Sequence, residues 1–228
     1  TTDGATIDVT GTTTLAANAA FATTDGGGTA GGANITLAAV DGSVADTQSL
    51  TLTAGTGGNI TTGNLGGTRL STLNVVSGNT INLGNVNSAG AVEVGSGAAT
   101  TGAVNFNGTV DGTAITIAGG GNVGDVTFDG AVNGNALTMG AVGSVGNVVF
   151  NAATTLTSVD IRQGTGTITD GAAGSLTVSG LTYLDTTGNI RLDSAANDFA
   201  TVDVQNSAGG GNIDVALVDA NAITVNQI

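Results

Sequence analysis

This chain of 228 residues has no cysteine, histidine, proline, tryptophan or lysine, and its only basic residues are Arg69, Arg162 and Arg191. Each absence closes off a chemistry. Without cysteine there is no disulfide, no thiolate nucleophile and no zinc–thiolate site. Without histidine the commonest metal ligand and the usual general base near neutral pH are missing. Without lysine there is no Schiff base and no phosphate-loop ammonium. Chemistry by carboxylates alone is what remains, and a non-enzyme is expected. Aromatics are also scarce, with five Phe and one Tyr. No apolar run approaches the 18 or so residues a spanning helix needs, so membrane insertion is not expected. Seventeen acidic residues against three basic ones give a formal charge of −14. Such a surface repels nucleic acid and anionic membrane and attracts cations. The chain opens on Thr1, which suggests a processed product or a piece of something longer.

What is present is glycine, 40 residues of it, together with 40% hydrophobic and only 9% charged residues. Disorder needs low hydrophobicity and high charge density, and this chain has neither. Its apolar residues are also periodic. Residues 103–124 read AVNFNGTVDGTAITIAGGGNVG, residues 125–146 read DVTFDGAVNGNALTMGAVGSVG, and residues 147 onward begin NVVFNAATTLTSVDI. Val104/Phe106, Val126/Phe128 and Val148/Phe150 therefore recur every 22 residues, with Ile115/Ile117, Leu137/Met139 and Val159/Ile161 midway between them. A fixed period of this length marks stacked repeats rather than an ordinary globular core.

Each pair reads as a short strand with two inward side chains and one outward residue between them. Further pairs are Ile7/Val9, Ile35/Leu37, Leu50/Leu52, Leu73/Val75, Ile81/Leu83 and Val92/Val94 before the repeats, and Leu176/Val178, Ile190/Leu192, Val202/Val204, Ile213/Val215 and Ile223/Val225 after them. Among the residues between partners, only Val149 is apolar, so one face is dry and the other wet. Gly-Asn precedes strands at 58–59, 121–122, 146–147, 188–189 and 211–212. Both residues tolerate positive φ, Asn can bond backbone groups at a bend, and Gly lets successive coils approach. The Ala-rich stretch 14–23 reads as a strand with a corner, and 25–34 as a loop leaving the coil. The expectation is one domain over 1–228, with irregular coils at 1–80, regular repeats at 81–168 and looser coils at 169–228.

One coil cannot fold alone. About four large inward side chains gain roughly 1.5–3 kcal/mol each on burial, whereas fixing the backbone costs about 1–2 kcal/mol per residue. Stacking adds hydrogen bonds above and below and makes the core continuous. Strand N matching strand N+2 suits parallel stacking better than hairpins. A membrane barrel would need longer strands and aromatic girdles.

The units Gly102–Gly108 (GAVNFNG) and Gly124–Gly130 (GDVTFDG), with 197–204 (NDFATVDV) and 218–225 (VDANAITV), resemble the β-strand-repeat, filamentous-haemagglutinin-like surface adhesins of bacteria. The resemblance is one of repeat style and covers most of the chain. It implies a right-handed parallel β-helix, export to the cell surface, and a role in adhesion or as a stalk. It carries over no catalytic residue, and the N-terminal secretion domain of such proteins is not visible.

Other motifs have plainer explanations. Gly119–Gly124 fits GxGxxG, but a strand follows it where a nucleotide fingerprint needs a helix, so a coil corner is expected. The calcium-binding Gly/Asp nonapeptide would have to repeat in tandem and does not. Asp41, Asp111, Asp129 and Asp170 flank glycines as turn residues do, leaving calcium at Asp-rich corners as the one cation option. Asp203 and Asp214, with Arg191 near, are expected to stack on one outward face as a charge ladder. A polysaccharide-processing or polysaccharide-binding site there is the alternative, weakened by the lack of an aromatic sugar platform. Thr51/Thr53 and Thr116, Thr127 and Thr138 suggest a hydroxyl array of the ice-binding kind, which Asn, Asp and Val149 interrupt. Asn34, Asn59 and Asn107 open glycosylation sequons of the sort that arise by chance in an Asn/Thr-rich chain. The expectation is thus a secreted or surface-exposed structural rod, with no cofactor. Its partners would be copies of itself head-to-tail or further repeats of a longer parent, together with a glycan or a cell-surface receptor.

Overall fold

The computed structural model describes residues 1–25, 31–99, 101–207, 209 and 211–228. Of the expected loop at 25–34, residues 26–30 lie outside the described residues. The architecture is all-β, with 23 strands joined in one sheet that winds into a parallel β-solenoid. Among the described residues there is no α-helix, and the one antiparallel contact is a bridge between Asp3 and Thr24.

Each coil has three faces. Face A is a column of ten strand segments whose leading inward residues are Ile7, Ile35, Ile60, Ile81, Val104, Val126, Val148, Ile168, Ile190 and Val215. Nine intervals of about 4.8 Å make a stack roughly 43 Å long. Face C is the second column, running from Ala19–Ala22 through Leu50–Thr53, Leu73–Ser77 and Ala91–Val94 to the second halves of Val110–Ile117 and Val132–Met139, then Ser158–Gly164. Between A and C lies face B, carried by Leu65–Leu70, Val86–Ser88, the first halves of Val110–Ile117 and Val132–Met139, and Ala153–Leu156.

Before Leu176/Val178, face B has no apolar pair and so left no mark on the 11-residue rhythm. Its inward column is Val40, Leu65, Val86, Val110, Val132, Thr154 and Leu176. A fourth column of single bridges places Thr101, Val123 and Val145 beneath the loop from C back to A. The coil that starts at Val104 therefore buries Val104, Phe106, Val110, Ile115, Ile117 and Val123, not four side chains. All belong to one hydrophobic cluster running the length of the rod. Within it, Phe106, Phe128 and Phe150 form a ring stack, with centroids 4.9 and 5.3 Å apart and planes within 6° of parallel.

The irregular spacing outside 81–168 has two causes. The first two coils are longer, Ile7 pairing with Ile35 and Ile35 with Ile60, and the register slips between Val9 and Thr12 and again between Leu65 and Leu70. In addition, some inward pairs have a polar second or first member. Leu37 sits on Thr62, Phe150 on Asp170, and Val159 on Thr182. Ile60/Thr62 and Thr182/Leu184 are thus strands without an apolar pair. The stretch 14–23 is a strand end, a corner and a new strand, since Ile7–Leu15 is followed by Ala19–Ala22.

The corners work differently from one part of the expectation. Among the described residues no Asn has positive φ; the left-handed non-glycine residues are Asp25, Asp46, Ala118 and Gln163. Asn just before a face A strand instead bonds to the equivalent position one coil away. Asn34 Oδ1 accepts the Asn59 N–H at 2.9 Å, Asn147 Oδ1 the Thr167 N–H at 2.8 Å, and Asn189 Oδ1 the Asp214 N–H at 2.9 Å. Each such bond contributes about 0.5–1.5 kcal/mol and reads the register. Glycine is there for closeness. A Cβ on Gly188 would lie 2.3 Å from the Gly166 carbonyl oxygen, and one on Gly102 would lie 1.7 Å from that of Asn79.

Candidate functional site

Outward residues on face C form a single row along the rod axis. Glu93, Thr116, Thr138, Asp160, Tyr183 and Asp203 occupy successive coils in register. They face out because their neighbours on either side are the inward core pairs. Beside Glu93 and Thr116 the loop from C to A overhangs the row. With Ser96, Gly119 and Ala141 it encloses a recess of about 270 Å³.

Further along the row, Asp160 bonds Arg162 Nε through both oxygens, at 2.8 and 3.1 Å. That bond, followed by the charge of Asp160, holds the Arg162 guanidinium above its usual range. The guanidinium carbon lies 5.4 Å from the centroid of the Tyr183 ring, a cation–π contact. Partial burial pushes the Tyr183 phenol up, and the charges of Asp185, Asp203 and Asp160 push the same way against Arg162. Asp203 holds Gln205 Nε2 at 3.3 Å through Oδ1.

Several sequence expectations need correction here. Asp203 and Asp214 do not share a ladder. Asp203 lies on face C between Tyr183 and Gln227, whereas Asp214 precedes the face A strand Val215–Leu217. The inward pair there is Val215/Leu217, one step later than Ile213/Val215, so Arg191 stacks against Ala216. Thr127 is likewise on face A, away from Thr116 and Thr138 on face C, so the three make no common hydroxyl array. The row also contains an aromatic ring, which the strand pairs did not place. Tyr183 sits directly between Asp160 and Asp203. Its position was hidden because its flanking inward residue Thr182 is polar. The usable signal was the coil-length spacing of Asp160, Tyr183 and Asp203.

The corner aspartates turn to donors one coil away. Asp41 Oδ1 accepts the Gly67 N–H at 2.7 Å, Asp111 Oδ1 accepts from Asn133 at 2.8 Å, and Asp129 Oδ1 from Asn151 at 2.7 Å. Asp170 accepts the N–H groups of Asp193 and Ser194 and the amide of the buried Asn197. Among the described residues no three acidic side chains converge as a cation would require. All three arginines pair with aspartates: Arg69 with Asp46, Arg162 with Asp160, and Arg191 with Asp193. Gly119–Gly124 is a coil corner followed by Val126–Phe128. The sequon residue Asn59 is tied into the corner row by its bond to Asn79 at 3.2 Å.

The rod's last coil leaves its interior partly uncovered. Val215, Leu217, Ile223, Val225 and Ile228 border a hollow of about 330 Å³, and Ile228 is 72% exposed. At the other end Ile7, Val9, Ala19 and Phe21 are only partly buried.

Residues 124–206 match a family described as repeats of unknown function (DUF5649). The matched part holds the second and third 22-residue repeats and the looser coils after them, with Asp160, Arg162, Tyr183 and Asp203, and its description agrees with a repeat protein. No curated protein and no solved structure matches the chain.

Proposed function

We propose that this chain is a non-enzymatic structural protein of the bacterial cell exterior, a β-solenoid rod acting as an adhesin shaft or as the subunit of a self-assembling surface filament. The observation that carries the reading is the parallel ladder of face A, ten strand segments long, over one continuous core. A pull along the axis loads many coil-to-coil hydrogen bonds and the stacked interior together. Corner amides, and the Arg69–Asp46 pair, hold coil to coil, so stiffness needs no disulfide. The similarity of repeat style to bacterial surface adhesins supports the location.

The partly covered end coils support stacking of like on like. Further coils of a longer parent or another copy head-to-tail would cover Val215, Leu217 and Val225 with a matching row such as Ile7 and Val9. A head-to-tail contact of this kind does not close and builds a fibre. Electron microscopy of the purified protein at rising concentration tests assembly, and surface proteolysis of intact source cells tests location. Rods that lengthen in coil-sized register, and a chain cleaved from the outside of cells, are expected. A protein that stays as single short particles and is protected in intact cells contradicts the reading.

A further inference from the structure

The polar row of face C is broken at one place. Leu181 and Tyr183 are two residues apart on Ser175–Thr186 and both face outward. Leu181 is 44% exposed, among the described residues the only large apolar one so exposed within a face C strand before the last coil. In register, Asp160 flanks this step on one side, and Thr201 and Asp203 flank it on the other. Neither apolar side chain serves the core. An aliphatic and an aromatic surface side by side, bordered by carboxylates one coil away in each direction, match the two faces of a sugar ring. Its C–H face stacks on an aromatic, and its hydroxyls donate to acceptors at the edge.

We propose that the Leu181–Tyr183 step is a subsite for one pyranose ring of a neutral glycan lying along the rod axis. The exposed Arg162 side chain swings off Tyr183, the ring rests on Tyr183 and Leu181, and its hydroxyls donate to Asp203 and Asp160. Arg162 donates to ring or hydroxyl oxygens. Three features select this ligand. The coil spacing of about 4.8 Å is close to the length of one sugar unit in an extended glycan, so successive rings meet Asp203, Tyr183 and Asp160 in step and continue toward Thr138 and Thr116. A cationic ligand is repelled by the Arg162 guanidinium, which lies over Tyr183 and on Asp160, whereas a neutral ring displaces it from Tyr183 without that repulsion. A polyanionic glycan meets a chain of formal charge −14. This inference stands apart from the rod proposal, since a rod that binds no sugar still assembles.

Tyr183 is the only tyrosine in a chain without tryptophan, so its fluorescence reports this site alone. The test titrates cellohexaose, maltohexaose and hexagalacturonate against the whole chain, followed by tyrosine emission and by saturation-transfer NMR. Saturable binding of a neutral hexasaccharide in the millimolar range or tighter is expected. Tyr183→Thr, which restores the residue type found at Thr116 and Thr138, should weaken it about tenfold. Tyr183→Phe should keep it, and Asp203→Asn should weaken it several-fold. Circular dichroism confirms that each variant folds. No saturable response to either neutral sugar by either method overturns the proposal. So does binding that Tyr183→Thr leaves unchanged, or binding of hexagalacturonate alone.

Discussion

Replacing Phe128 by alanine probes the stack at its most crowded point. The Phe128 ring is fully buried and lies between Phe106 at 4.9 Å and Phe150 at 5.3 Å. Truncating a buried Phe costs about 3–5 kcal/mol, including the cavity that remains. Each stacked aromatic pair is worth about 0.5–1.5 kcal/mol beyond its buried area, and Phe128 is in two. The terminal members are in one each, since Phe106 has Leu83 on its far side and Phe150 has Asp170. Phe128→Ala should therefore be the most damaging of the three, near the top of that range, with Phe106→Ala and Phe150→Ala about 1 kcal/mol milder. Urea denaturation gives the stabilities, and hydrogen exchange gives the location. Because contacts run mainly between neighbouring coils, loss of protection should centre on 104–106, 126–128 and 148–150 and fade along the rod. Equal costs for the three variants would refute the stacking argument. So would a Phe106→Ala/Phe128→Ala pair additive to within about 0.3–0.5 kcal/mol.

Other substitutions address the remaining parts. The hydroxyls of Thr154 and Thr182 are buried without a partner, and both residues stand in otherwise apolar columns between Val132 and Leu176 and between Val159 and Val202. Thr182→Val and Thr154→Val should each stabilise by about 1–2 kcal/mol in urea melts; a loss would mean that the hydroxyls are bonded. Gly102→Ala drives a Cβ into the Asn79 carbonyl and should cost about 2–4 kcal/mol, whereas Gly11→Ala, with open space around it, should be neutral or slightly stabilising. A phenolate absorbance titration of Tyr183 should show a midpoint above the ordinary tyrosine value of about 10. Since the unfolded chain then ionises first, this group's contribution to stability is complete below about pH 10 and is lost as pH rises through the folded midpoint. Asp203→Asn should bring the midpoint part of the way back.

Faces A and C were legible because their strands carry two apolar residues around a polar one, and because the regular coils repeat at 22. Face B was legible only at Leu176/Val178, since its other strands carry one inward apolar residue, such as Val86 or Val110, with no apolar partner two residues away. Polar core members hid two more strands. Thr62 and Thr182 replace an apolar residue at inward positions, and pattern reading took the gap for looser coiling. The Asn ladders were visible only as Gly-Asn pairs, because a bond to a residue 20 to 25 positions away cannot be read until register is known. The same applies to the candidate site. Asp160, Tyr183 and Asp203 are far apart in sequence, and only the coil lengths bring them into one row. Asp214 is not beside Asp203, because alternation within a strand does not say which face the strand belongs to: Asp203 is on face C, and Asp214 leads into the face A strand Val215–Leu217.

The central claim is that successive coils stack in parallel register along one axis. A chain without native cysteine allows clean pairs of spin labels at outward positions of face A, where Thr36, Thr127, Thr169 and Ala216 occupy one column. With Thr36→Cys as the fixed point, electron–electron distances to labels at Thr127→Cys, Thr169→Cys and Ala216→Cys should rise linearly, to about 19, 29 and 38 Å at about 4.8 Å per coil. Distances that fail to grow in that order, or that cluster at one value as in a two-sheet sandwich, would contradict it.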